Sequence, residues 1–172
     1  IVTSATLMVN CPSSKEAAEL AKENPALGIG LHFNLTLGRP VSGRSTSLTD
    51  NTGHFFSRKQ FEVKALRRSF KPEDIKEELQ LQWDMLLSLG LSPTHLDSHQ
   101  HIHILPAILP SMVDLAKAKN LPLRIPDESL IWHASLKIFH PLSLIRLVRK
   151  LFGKFYCALA RAAARKAQVR TN

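Results

Sequence analysis

The sequence predicts an α/β fold with parallel strands in a barrel-like arrangement. Apolar, β-branched segments alternate with helical patterns along the chain, which is the order expected of parallel strands joined by helices. Polar side chains follow three successive predicted strands: His32, His99 and Arg124. Ligands gather at the carboxyl ends of such strands, so this placement is typical of a barrel active site. The 172 residues and the hydrophobic fraction of 44% fit one globular domain or part of a larger one.

The chain begins with a predicted strand, helix and second strand. Residues 1–9 are apolar and β-branched, which indicates a buried strand. A helix over residues 15–22 follows two serines that can cap it and stops before Pro25. GIGLHFNL, residues 28–35, is the second strand, and the segment 38–53, rich in Gly, Ser and Thr, is a loop.

Two helices follow this loop. Residues 58–69 have a helical pattern, and Pro72 lies in the first turn of a stronger helix that ends at Gly90. The second helix has a predicted apolar face made of Ile75, Leu79, Met85, Leu86 and Leu89.

The second half of the chain repeats the alternation. A third strand is predicted over residues 93–98, a helix over 105–119 and a fourth strand over 121–125. Residues 140–168 have a long helical pattern that is predicted to break near Gly153.

Four histidines and one aspartate alternate at the end of the third strand: His95, Asp97, His99, His101 and His103. In an extended strand alternate side chains share a face, so these groups would line one side of a ribbon. Half of the eight histidines of the chain fall in this segment. Neutral imidazole is the commonest metal ligand, and carboxylates bind hard divalent ions. The segment therefore predicts a metal site.

Strand geometry limits how many of these side chains can share one ion. Alternate residues stand more than about 6 Å apart along a strand, whereas metal–nitrogen bonds are about 2 Å long. We therefore expect one or two ligands here, and the other histidines would contact substrate or support the ligands. Asp97 is either a ligand or the group that orients a histidine, and His95 is expected to have no role.

His32 and Arg124 each have two interpretations. A lone histidine in a buried strand is usually a core residue, but the separate histidine cluster favours His32 as a metal ligand. Asn34 lies two residues on and is predicted to face the same side. Arg124 either forms a salt bridge in a surface turn or holds a substrate oxygen at its strand end.

The net charge of +9 resides in the C-terminal segment. Residues 129–172 contain nine basic and no acidic side chains, whereas residues 1–128 are neutral overall. Apolar residues recur there at helical spacing: Leu144, Leu147, Val148, Leu151, Phe152, Phe155 and Leu159. This pattern predicts a core-facing stripe and a solvated basic face. Nucleic-acid binding by this helix is the less favoured alternative, because no recognised motif accompanies it.

Composition favours a cytoplasmic protein that does not cross a membrane. No apolar run is long enough to span a bilayer, and no signal peptide is visible. Cys11 and Cys157 lack metal or redox spacing, so two buried free thiols in a reducing compartment are favoured over a disulfide.

Three motifs resemble those of the YdjC-like, or chitooligosaccharide deacetylase, family. They are GIGLHFNLTLGRPV at 28–41, THLDSHQHIHILP at 94–106 and LRIPDE at 123–128. IVTSATLMVN at 1–10 also fits the second strand of that family. The resemblance covers most of residues 1–128 in the family's order and is weaker over 129–172.

The resemblance implies a partial distorted (β/α) barrel, extended by a basic C-terminal helical segment of the same domain. It also implies metal-dependent hydrolysis of N-acetyl groups on amino sugars such as chitooligosaccharides. The family's two histidine ligands match His32 and His99, with Mg²⁺ expected and Zn²⁺ as the alternative. The remaining candidates would support these ligands or contact substrate: Asn34, Asp97, His101, His103 and Arg124.

Two motifs of that family find no match in the chain. One is an Asp-Asp pair in the family's first strand, which supplies a metal ligand and the general base. The other is a C-terminal His-Pro-Gly segment, which the sequence His140-Pro141-Leu142 does not replace. We therefore expect a chain that corresponds to the central part of a deacetylase and is inactive or weak alone. We also expect self-association through unpaired strand edges.

Two further interpretations stay open. The chain could be a non-catalytic remnant that binds metal or sugar. It could also belong to another metal-dependent hydrolase, such as a phosphoesterase, but such sites need more carboxylates than Asp97 alone provides.

Overall fold

The protein folds around a small parallel sheet. The structure, a computed structural model, describes residues 1–126 and 143–171, with side chains in the second range described from residue 153. The strands are β1 (Ser4–Leu7), β2 (Gly28–Phe33) and β3 (Leu96–Ser98), in the order β1-β2-β3. The predicted α/β fold with parallel strands is therefore confirmed, and closure into a barrel stays a prediction.

Helices connect and cover these strands. They are α1 (Ser14–Glu23), α2 (Arg58–Leu66), α3 (Pro72–Ser88), α4 (Leu109–Ala118) and α5 (Ser143–Lys166). A short 3-10 segment, His99–Ile104, joins β3 to α4. Ser57 and Gln60 form a capping box at the start of α2. Pro72 occupies the first turn of α3, and Gly90 follows that helix with a φ of +78°, which glycine adopts without strain.

The register of the sheet sets polar residues of neighbouring strands side by side. His32 is paired with Asp97, and Leu31 is paired with Leu96. Successive side chains alternate between faces, so His32 and Asp97 share one face. Leu31 and Leu96 share the other face and are fully buried with Phe33. The candidate site and the core therefore lie on opposite faces of the same strands.

The sheet continues beyond β3 through single bridges. Leu123 pairs in parallel with both Leu96 and Thr171. The Arg124 N–H donates to the Leu96 carbonyl at 2.9 Å. The strand predicted over 121–125 is thus reduced to one bridging position, which still brings Arg124 to the end of β3.

The first strand is shorter and more exposed than predicted. Its residues are exposed or half-buried, whereas we predicted a buried strand over residues 1–9. Within the described residues β1 pairs only with β2, so its other edge carries no partner strand. Ile1 and Val2 at its start are also exposed.

The C-terminal helix corrects two predictions. Gly153 lies inside α5 and does not break it. Phe155 and Leu159 were predicted to face the core, but their side chains are 61% and 40% exposed. From residue 153 on, the buried apolar residues of this helix are small: Cys157, Ala160 and Ala164. Small side chains allow the helix backbone to approach its neighbours closely, which explains the choice of face.

Helix α3 buries polar as well as apolar side chains. Three of its predicted core residues are buried: Ile75, Leu79 and Leu86. Met85 was also predicted to be buried, but it is 38% exposed. Glu78 and Gln82 take part in the buried face instead, and their partners lie beside the candidate site.

In the described ranges neither cysteine takes part in a disulfide; Cys157 is buried and Cys11 is half-buried. No helix in the described ranges is both long and apolar enough to cross a membrane. The predicted boundary between residues 128 and 129 lies outside the described residues, as does His140.

Candidate metal centre

A buried carboxylate binds the imidazole of His32 at the end of the sheet. His32 Nδ1 lies 2.6 Å from Asp97 Oδ1 and 3.0 Å from Thr6 Oγ1. Asp97 is 3% exposed, and its Oδ2 accepts a long hydrogen bond from the Thr6 hydroxyl at 3.5 Å. The Arg124 guanidinium is 3.6 Å from the same Oδ2. These contacts fix the carboxylate and, through it, the plane of the His32 ring.

The hydrogen bonds of His32 assign its tautomer. Nδ1 faces a carboxylate, so it carries the proton and donates to Asp97. Nε2 is then left with its lone pair. Metal-binding histidines typically have this arrangement, in which a carboxylate accepts from the nitrogen that does not bind the ion. The geometry therefore fits His32 as a ligand through Nε2.

His99 is the second imidazole at this site. Its ring centroid is 5.7 Å from that of His32, with the rings edge to face at 68°. Burial lowers the pKa of His99, and the nearby His32, Arg58 and His101 lower it further. A lowered pKa keeps the imidazole neutral at pH 7, which is the form that binds metal.

The histidine segment is not an extended ribbon, which corrects the expectation drawn from its alternation. Residues His99–Ile104 form a 3-10 segment with a kink, where Gln100 and His101 have φ values of +55° and +57°. The chain therefore turns sharply after His99. His103 is directed into the core and is fully buried, while His101 is half-buried with its ring centroid 6.3 Å from that of His103.

His95 has a packing role that the sequence did not predict. A Cβ atom built on Gly30 would lie 2.7 Å from His95 Nε2 and 2.6 Å from its carbonyl oxygen. Only glycine at position 30 allows this close approach between β2 and the residue before β3. Burial lowers the pKa of His95, although Asp97 partly offsets this effect.

Asn34 supports the loop that follows His32. Its side-chain Oδ1 accepts hydrogen bonds from the backbone N–H groups of Thr36 and Leu37, and its Nδ2 donates to the Leu37 carbonyl and to Asn10. All of these bonds lie within the loop or join it to Asn10 in the turn after β1. The side chain of Asn34 thus fixes a turn, and its predicted role at the metal site stays a prediction.

Sequence reasoning missed Glu78 and Gln82. Gln82 Oε1 accepts from the Asn34 N–H at 3.0 Å, and Gln82 Nε2 donates to the Asn34 carbonyl at 2.7 Å. Glu78 Oε1 accepts from Gln82 at 2.8 Å and from the Val41 N–H at 2.9 Å. Burial raises the pKa of Glu78. Helical spacing could have indicated that both side chains are buried, because positions 75, 78, 79, 82 and 86 of α3 share one helical face.

The donor set is that of a partial metal site. In the described part of the chain, no three His, Cys, Asp or Glu side chains are close enough to hold one ion. His32 and His99 provide two imidazoles, and Asp97 is already bound to the far nitrogen of His32. The residues therefore fit a divalent ion that takes further ligands from elsewhere.

Comparison with known proteins agrees with the motifs. The model of the family described as YdjC-like protein matches residues 1–172. The chain belongs to the YdjC-like protein family. This confirms the resemblance found in the sequence motifs.

The relatives of this YdjC-like chain are longer than it is. It is 45% identical over 126 residues to a carbohydrate deacetylase of Brevibacillus brevis, which covers 73% of the chain and 49% of that protein. It is 43% identical over 126 residues to a chitooligosaccharide deacetylase of Yersinia enterocolitica, again covering 73% and 49%. The chain thus spans about half the length of the curated relatives it matches.

A solved structure shares the fold of this YdjC-like chain. It is the crystal structure of a protein from Enterococcus faecalis V583 that bears the name cellobiose-phosphate cleavage protein. The TM-score is 0.70 at 29% sequence identity, and the match covers 99% of this chain and 56% of that one. The described fold is therefore shared by a longer protein of known structure.

Proposed function

We propose that this chain supplies part of the active site of a metal-dependent carbohydrate deacetylase, which hydrolyses N-acetyl groups on amino sugars such as chitooligosaccharides. Relatives that are named deacetylases support the reaction class. The observation that carries the proposal is the contact of 2.6 Å between the buried Asp97 carboxylate and His32 Nδ1, in a ring whose centroid is 5.7 Å from that of His99.

The described residues have separate tasks in this proposal. His32 and His99 would hold the ion, and Asp97 would keep His32 in the tautomer that presents Nε2. When bound, the ion would polarise the acetyl carbonyl and lower the pKa of bound water. The exposed Arg124 would contact substrate oxygens from the end of β3. Mg²⁺ is the ion implied by the family resemblance, and two imidazole ligands also suit Zn²⁺.

Activity of the whole site is testable in a chimera. The parts of the Brevibacillus brevis relative that lie outside the aligned 126 residues would flank this chain. We expect the chimera to release acetate from diacetylchitobiose only with a divalent ion, and the chain alone to release little or none. Far-ultraviolet circular dichroism and a thermal melt would establish that the chimera folds.

Variants of the chimera assign the activity to this chain. His32→Ala and His99→Ala are expected to lower acetate release at least about a hundredfold, because each removes a metal ligand. His54→Ala is the matched control, since this histidine is exposed and bonded only within its own turn. A folded chimera that releases acetate equally well with His32→Ala, or in the presence of a chelator, would refute the proposal.

Loss of the carboxylate that orients His32 should weaken metal binding. Asp97→Asn in the 172-residue chain is expected to lower Zn²⁺ affinity about 10- to 100-fold, because the neutral amide no longer enforces the Nδ1–H tautomer. The measurement is a competition titration with a chromogenic chelator at pH 7. Asp114→Asn is the control, because this carboxylate is 69% exposed and 3.9 Å from its lysine partner. Equal affinities of Asp97→Asn and the unmodified chain would exclude this role.

A further inference from the structure

The turn that carries His99 contains two residues in a strained backbone conformation. Gln100 and His101 both have φ values in the left-handed region, at +55° and +57°. Neither is a glycine, and side chains with a Cβ atom rarely adopt this region. Such a conformation persists only where the surrounding contacts require it. The contacts that close this turn therefore determine where His99 points.

Two hydrogen bonds to one buried hydroxyl close the turn. Ser98 Oγ accepts from the backbone N–H of His103 at 3.1 Å and lies 2.5 Å from His103 Nδ1. Both residues are fully buried. The bonded pair brackets residues 99–102, so the start and the end of the turn are fixed against the core. Burial lowers the pKa of His103 to about 4, so this imidazole is neutral at pH 7 and suits a hydrogen bond with a hydroxyl.

Alternation in β3 separates this pair from the metal site. Ser98 lies on the buried face of the strand with Leu96, whereas Asp97 lies on the opposite face with His32. His99 follows immediately and is directed towards His32. The pair therefore acts on His99 from the core side of the strand. Among the described residues, no hydrogen bond joins the side chain of His99 to either member of the pair.

We propose that Ser98 and His103 are positioning residues that hold the left-handed turn and thereby direct His99 towards His32. The expected effect on metal affinity rests on the proposed function. The geometry of the turn does not depend on it. Removing the Ser98 hydroxyl breaks both of the bonds that it makes to His103. The turn can then relax towards ordinary backbone angles, and His99 moves away from His32.

The geometry is testable without any metal. We expect nuclear Overhauser contacts between the rings of His32 and His99 in the unmodified chain, and we expect Ser98→Ala to remove them. Ser111→Ala is the matched control, because Ser111 is also buried but lies in α4. Contacts that persist unchanged in folded Ser98→Ala would overturn the proposal.

Metal affinity and a conservative variant give the second test. Ser98→Ala is expected to weaken Zn²⁺ binding about tenfold or more, as loss of a group that supports a ligand does. His103→Asn keeps an acceptor near the position of Nδ1 and should retain more affinity than His103→Ala, even if Ser98→Ala does not fold. Equal affinities of the two His103 variants would also count against the proposal. If the unmodified chain binds no Zn²⁺ and yet the ring contacts depend on Ser98, the metal site fails and the positioning role stands.

Discussion

Replacing Gln82 by leucine is expected to lower the free energy of unfolding by about 3–5 kcal/mol. Gln82 is fully buried, and its amide binds both backbone groups of Asn34 and the carboxylate of Glu78. Leucine has a similar volume, so the substitution removes the hydrogen bonds without opening a large cavity. The Asn34 N–H and carbonyl are left buried without partners, and each such group costs about 1–3 kcal/mol.

Urea denaturation followed by circular dichroism measures this effect. Gln80→Leu is the matched control, because Gln80 lies on the same helix, is exposed and bonds only to Asp84 at 2.8 Å. Gln80→Leu should change the free energy of unfolding by no more than about 0.5 kcal/mol, as is usual for surface substitutions. A loss below about 1 kcal/mol in Gln82→Leu would mean that water or another group replaces the lost bonds.

Loss of the Gln82 hydrogen bonds also affects the proposed metal site. Asn34 follows His32 by two residues, so the Gln82 amide anchors the end of β2 to α3. Glu78 extends the anchor by accepting from the backbone of Val41 and Ser42. These two buried polar side chains of α3 therefore fix the loop after His32. This helix links the stability of the core to the position of a proposed ligand.

Strand periodicity predicted that Asp97 binds a metal ion or orients a histidine, but it did not identify His32 as that histidine. Alternation places His32 and Asp97 on one face, and parallel order places them at one end of the sheet. The structure agrees, with the two residues in register and in contact. Thr6 was not predicted as a partner, because a threonine in a β-branched segment carries no signal of its own.

Periodicity failed where the chain stops being a strand. The spacing of the four clustered histidines suggested an extended ribbon, but the turn depends on contacts between residues 98 and 103. A serine followed five residues later by a histidine is not a recognisable turn signal in a sequence. The same limit applies to α5, where the choice between large and small apolar residues depends on how close the neighbouring helix lies.

Acidification is expected to destabilise the protein by about 3 kcal/mol at pH 4 through His103 alone. Burial lowers the pKa of His103 to about 4, from an ordinary value near 6.5. Between these two values the unfolded chain binds a proton that the folded chain does not. Stability from this group is therefore fully present above pH 6.5 and is lost as the pH falls towards 4.

Other groups titrate in the same range, so a variant must isolate His103. The lowered pKa values of His95 and His99 act in the same direction, whereas the raised pKa of Glu78 acts in the opposite direction. His103→Asn cannot bind the proton but retains all of these other groups. Urea midpoints of both proteins at intervals between pH 7 and pH 4 give the difference. We expect the stability advantage of the unmodified chain to shrink by about 3 kcal/mol over this range. If the difference in stability between the two proteins stayed constant over this pH range, His103 would be protonated or hydrated in the folded protein. In that case the Ser98–His103 bond could not hold the turn as a neutral pair.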